Sequence, residues 1–98
     1  MSDIGTVLKA ADGVVGISGK PVRIYAINVL SGGTAGQIKL YNGTAATDTL
    51  YVHQVCPTVS TGNQFTYPKG ILFPAGCFYE EVVDANVTST LVAFAQEL

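Results

Sequence analysis

Charge is scarce in this chain. Five Lys and Arg against seven Asp and Glu make up only 12% of 98 residues, roughly half the share of an ordinary soluble domain. These charges are scattered singly and build no basic patch to neutralise phosphates or seek anionic lipid, so neither nucleic acid nor a membrane surface is expected as a partner. No apolar run approaches the length needed to span a bilayer. No window of useful length places apolar residues three and four apart without a Gly, Pro or β-branched cluster interrupting it, so almost no helix is expected. Fixed-period repeats and biased low-complexity segments are also missing. The first twenty residues carry Asp3 near the start, with neither a basic lead nor a sustained apolar block. No secretion signal is therefore expected, and the chain is expected to be made in a cytoplasm.

Residues able to do chemistry are equally thin. The single histidine, His53, lies three positions before Cys56. An odd separation on a regular strand sends the two side chains to opposite faces, so they do not share a metal, and Cys77 adds only a distant third ligand. A serine or cysteine nucleophile needs a base within hydrogen-bond reach, and no nucleophile-elbow motif accompanies His53. Glu80 and Glu81 are adjacent, hence on opposite strand faces, and are no acid–base pair across a cleft. Gly32, Gly33 and Gly36 suggest turn chemistry, because a phosphate cradle needs a following helix. Asn42-Gly43-Thr44 and Asn86-Val87-Thr88 fit the glycosylation pattern, which has meaning only in a secreted protein; both read as turns. Cys56 and Cys77 either close a loop, worth about 3 kcal/mol in the chain-entropy model, or stay free; a reducing cytoplasm favours two buried thiols. No metal, no cofactor and no catalysis are expected.

What the chain does have is a rhythm of short apolar runs and small-residue turns, 48% of it hydrophobic. Pro21 to Leu30 and Ala35 to Tyr41 flank Ser31-Gly32-Gly33-Thr34 and read as a β-hairpin. In the second arm Ile38 and Leu40 share a dry face, while Gln37, Lys39 and Tyr41 share a wet one. Further strands are expected at Ile4–Ala10, with Val14–Ile17 returning beside it, then at Leu50–Cys56, Gln64–Tyr67, Ile71–Phe73, Cys77–Val83 and Val87–Ala95. Pro57, Pro68 and Pro74 act as breaks. About eight strands with turn signals roughly every ten residues predict one all-β domain over residues 1–98. Its expected form is an antiparallel β-sandwich or jelly-roll-like fold, with 1–19 as an N-terminal arm or first hairpin.

The first arm of the central hairpin is apolar on both faces. Tyr25, Ile27 and Val29 are expected to fill the core, leaving Ile24, Ala26 and Leu30 outward in a row that needs cover from another molecule. With Ala93 of the last strand they are the candidate subunit or capsid contacts. The five tyrosines, Tyr25, Tyr41, Tyr51, Tyr67 and Tyr79, offer a rival use as a platform for sugars, although most are expected in the core or at subunit contacts.

The run Arg23-Ile24-Tyr25-Ala26-Ile27-Asn28-Val29, the segments Gly33 to Thr44 and Gly70 to Tyr79, and the closing Leu91-Val92-Ala93-Phe94 resemble a family of small all-β virion proteins of tailed bacteriophages, the head decoration or cement proteins. The resemblance covers about four-fifths of the chain as a cadence of strands and turns, and gives no role to His53, Cys56 or Cys77. It implies a non-enzymatic structural protein, commonly a homotrimer, that binds the outside of the head and stabilises the lattice of the major capsid protein. The alternative is a receptor- or carbohydrate-binding sandwich of a head or tail fibre.

Overall fold

The computed structural model describes residues 4–31, 36–56, 62–82 and 87–97. Eight strands account for most of them: β1 (Gly5–Lys9), β2 (Gly13–Val15), β3 (Val22–Ser31), β4 (Gly36–Asn42), β5 (Thr49–Cys56), β6 (Gly62–Phe73), β7 (Cys77–Val82) and β8 (Val87–Gln96), with no helix among the described residues. They form two four-stranded sheets, β1-β8-β3-β6 and β2-β7-β4-β5, in which every pairing is antiparallel. Strands pair as mirror images about the β4–β5 turn: β4 with β5, β3 with β6, β2 with β7 and β1 with β8. Rolling that long double ribbon brings β8 against β3 and β7 against β4, which is the jelly-roll order. The expected eight-stranded antiparallel sandwich is what the chain forms.

Between the sheets lies one apolar layer. Ile24, Ile27, Val29, Phe73 and Val92 come from the first sheet, and Val15, Ile38, Leu40, Val52 and Tyr79 from the second, nearly all without solvent exposure. Each such side chain contributes about 1.5–3 kcal/mol by leaving water. Ile38 and Leu40 lie on the dry face that their alternation indicates.

The central hairpin, however, does not form. β3 lies in the first sheet between β8 and β6, and β4 lies in the second between β7 and β5. A glycine-rich reversal lets a chain turn back without fixing which neighbour it pairs with. Here Ile27 and Val29 on one side and Ile38 and Leu40 on the other become opposing walls of one core, so the chain arches across the sandwich. The turn itself, residues 32–35, lies outside the described residues. β1 and β2 part in the same way, each taking an edge of a different sheet. The first segment is thus built into the sandwich and is no separate hairpin.

A second correction concerns Ile24, expected to point outward but fully buried. The registers of β3 against both β6 and β8 slip between Ile24 and Ala26, so Tyr25 is an extra residue in the strand. A bulge of this kind flips the alternation. Ala26, Asn28 and Leu30 alternate outward with Ile27 and Val29 inward, whereas on the far side of Tyr25 it is Val22 and Ile24 that face the core. Tyr25, expected in the core, is only half-buried.

Pro68 ends nothing. Gln64–Tyr67 and Ile71–Phe73 are parts of the single strand β6, in which Thr66 pairs with Ala26 and Ile71 with Ile24, leaving Tyr67 to Gly70 looped out opposite Tyr25. A proline is tolerated here because β6 is an edge strand and has no outer neighbour to which it must donate. Gly70 takes a left-handed φ of 75° in this excursion.

The turns at one end of the sandwich are tied together by hydrogen bonds that backbone amides donate to backbone and side-chain oxygens. Gly43 N donates to Gly76 O at 2.9 Å, and Ala75 N donates to Asn42 Oδ1 at 2.8 Å. Asp48 Oδ2 accepts from the amides of Thr44 and Ala45 at 2.9 and 3.0 Å. Gly76 has φ 99°, and a Cβ there would stand 3.2 Å from the Gly19 amide nitrogen, so the close approach of these turns requires glycine. Asn42-Gly43-Thr44 is thus a structural turn, while Asn86 of the second sequon lies outside the described residues.

Candidate functional site

The outer face of the first sheet is assembled from four strands in register. One row runs Thr6, Ala93, Ala26, Thr66, and the next runs Leu8, Leu91, Asn28, Gln64; Leu30 and Ser89 begin a third. Directly opposed residues of antiparallel strands lie on the same face, so these side chains share one surface. No charged residue stands among them. Leu8, Leu30 and Leu91 are 59%, 40% and 45% exposed, a large fraction for leucine on three neighbouring strands. Together with Asn28 and Ser89 they line a shallow hollow of about 230 Å³. Beyond the Tyr25 bulge, Arg23 Nε donates to Glu97 Oε1 at 2.9 Å.

Of the four candidate contact residues, the structure brings Ala26, Leu30 and Ala93 onto this one face, and Ala26 and Ala93 are direct register partners. Ile24 is excluded from it by the bulge. Leu8 and Leu91 complete the face, and sequence reading missed them although a local signal existed. Thr6-Val7-Leu8 and Leu91-Val92-Ala93 alternate about Val7 and Val92, which pack inward and pair with each other.

The outer face of the second sheet is built differently. His53, Lys39 and Glu80 form one row across β5, β4 and β7. His53 Nε2 lies 2.7 Å from Gln37 Oε1, and the Tyr41 hydroxyl donates to Glu80 Oε1 at 2.7 Å. Tyr41 was expected on the wet face, and it is there, yet only 7% exposed, with its ring tilted against Phe78. The Glu80 hydrogen bond, followed by burial, pushes its phenol up to about 12.

One polar network crosses the core. The Tyr79 hydroxyl donates to Glu81 Oε2 at 2.9 Å and lies 2.6 Å from Thr90 Oγ1 of the opposite sheet; the Glu81 amide donates to Asp12 Oδ1 at 2.9 Å. Burial is the main cause of the rise in the Tyr79 phenol's pKa. Glu80 and Glu81 therefore do face opposite ways, one to the outer surface and one to the core. The Cys77 thiol is free and buried, and burial pushes it up to about 12, which makes it a poor nucleophile. The Cys56 side chain lies outside the described residues. Among the described residues no group of three or more His, Cys, Asp and Glu is placed to hold a metal ion.

The tyrosines are dispersed. Tyr41 and Tyr79 are buried, Tyr25 and Tyr67 half-buried, and Tyr51 leans on Phe73 with ring centroids 5.1 Å apart. They make no common platform. The one surface on which several candidate residues converge is the uncharged face of the first sheet. No family model, curated protein or solved structure matches the chain.

Proposed function

We propose that this chain is a non-enzymatic structural subunit of a bacteriophage virion, which binds the outside of an assembled head and stabilises the lattice of the major capsid protein. The observation that carries the reading is the uncharged outer face of the first sheet, with three exposed leucines around one hollow. Covering that face releases water from apolar surface and strips no charge of its hydration, so even a modest contact is favourable. Jelly rolls recur in viral shells and in lectins, a likeness of fold that agrees with the reading without choosing it.

The mechanism is mass action. A protein that binds only the assembled lattice lowers the free energy of that state relative to dissociated subunits. Symmetry repeats the contact many times, so each one is free to be weak. Such a protein would be made in the host cytoplasm and reside on the capsid exterior.

The test is co-sedimentation with expanded, undecorated shells from the same phage. The wild-type chain is expected to pellet with shells, and Leu91→Lys, at an exposed position, to lose at least tenfold in affinity, about 1.4 kcal/mol, while keeping its thermal midpoint. Wild-type protein that stays in the supernatant at every concentration would sink the reading.

A further inference from the structure

The four sheet edges are unequal. β1 has five residues and ends in Lys9, whose Nζ reaches Val14 O at 3.4 Å; β2 has only three residues. β6 carries Pro68, Lys69 and the excursion opposite Tyr25. Short length, lysine, proline and bulges are the means by which a sheet edge is made unfit for pairing with another chain. β5 has little of this protection. It is eight residues long, Thr49-Leu50-Tyr51-Val52-His53-Gln54-Val55-Cys56, with neither a formal charge nor a proline. Its one irregularity is at Tyr51, and from Val52 to Cys56 it runs in unbroken register with β4. Leu50, Tyr51 and Val55 are 44%, 43% and 58% exposed, three of the chain's large exposed hydrophobics within one strand.

We infer that β5 is an assembly edge whose occupant is β5 of a second copy, joining two second sheets into one eight-stranded sheet across a two-fold axis. An edge strand offers alternating N–H and C=O groups, and the complement to that array is another strand edge. An antiparallel strand pair has two-fold symmetry, so β5 is its own complement and the contact closes at two chains. Electrostatics do not oppose it: the strand itself is uncharged, Lys39 beside it and Glu80 are of opposite sign and register partners, and Asp48, just before the strand, already accepts from the amides of Thr44 and Ala45.

The footprint sets the strength. Eight residues span roughly 26 Å, and an edge-to-edge contact is one sheet thick, about 10 Å. The pair therefore buries roughly 500 Å² in all, about half the size of a specific stable interface, about 1,000 Å². A weak, concentration-dependent dimer follows, one favoured where copies are crowded. This surface is separate from the first-sheet face and does not rest on the shell-binding reading.

Sedimentation equilibrium of the full chain from about 10 μM to about 1 mM, a range that brackets weak self-association, tests it. Wild-type mass should rise from 10.2 kDa toward twice that value. Val55→Lys and Leu50→Lys, both at exposed positions, should stay at one chain's mass with an unchanged thermal midpoint, and Leu91→Lys should still dimerise. A wild-type chain that remains single throughout overturns the inference. So does an oligomer of two or three chains that survives both β5 lysines, or one that Leu91→Lys abolishes.

Discussion

The two outer faces of this sandwich are made by the same kind of strand and carry opposite surfaces. On the second sheet, His53, Lys39 and Glu80 stand in a row, with Gln37 bonded to His53 and Tyr41 bonded to Glu80. Burying that face under a partner would strip hydration from two charges and disturb bonds already made. On the first sheet the corresponding rows hold Thr, Ala, Leu, Asn, Gln and Ser, and the nearest ion pair lies beyond the Tyr25 bulge. The scarce charge of this chain is therefore distributed unevenly: the second face carries the charged row, although Val55 stands exposed beside Gln37 at its edge, and the first can be covered at little electrostatic cost.

The sharpest way to probe that division is at its boundary, where the bulge sends Ile24 inward and leaves Ala26 and Leu30 outward. Ile24→Ala should destabilise the fold by about 2–5 kcal/mol in urea unfolding, and Leu30→Ala by less than about 0.5 kcal/mol. Equal effects at the two positions would erase the boundary. On the wet face, Tyr41→Phe removes the bond to Glu80 and should cost about 1 kcal/mol at neutral pH. Tyr41 also holds its proton more tightly in the folded chain than in the unfolded one. Its contribution is therefore fully present below pH 10 and is lost as pH rises from 10 to about 12. The stability of wild type and Tyr41→Phe should accordingly converge across that interval when followed by denaturant titration. The smallest effect is expected for Lys39→Ala, an exchange on a solvated face, within about 0.5 kcal/mol of wild type.

Much of this fold was legible from alternation. Ile38 and Leu40 identify the dry side of β4, and the spacing of turns yields eight strands. Pairing was not legible, because Gly32 and Gly33 permit a reversal without choosing between a hairpin and an arch. The bulge at Tyr25 leaves no mark in composition: an aromatic residue in an apolar run looks the same in or out of phase, and one inserted residue moved Ile24 from the surface to the core. Pro68 looked like a stop because its missing donor matters in a central strand, and β6 proved to be an edge. The candidate face was half visible. Ala26, Leu30 and Ala93 follow from two apolar strands, but Leu8 joins them only through the β1–β8 register, which brings opposite ends of the chain side by side.

The unequal faces come to a decisive comparison in one binding measurement. Leu91→Lys and Lys39→Glu each add or invert charge at a surface position, the first on the uncharged face and the second on the wet one. Titrated side by side against expanded shells, Leu91→Lys should bind at least tenfold more weakly than wild type, and Lys39→Glu should match it. The reverse order, or an equal loss in both, would contradict the proposal that the first-sheet face meets a capsid.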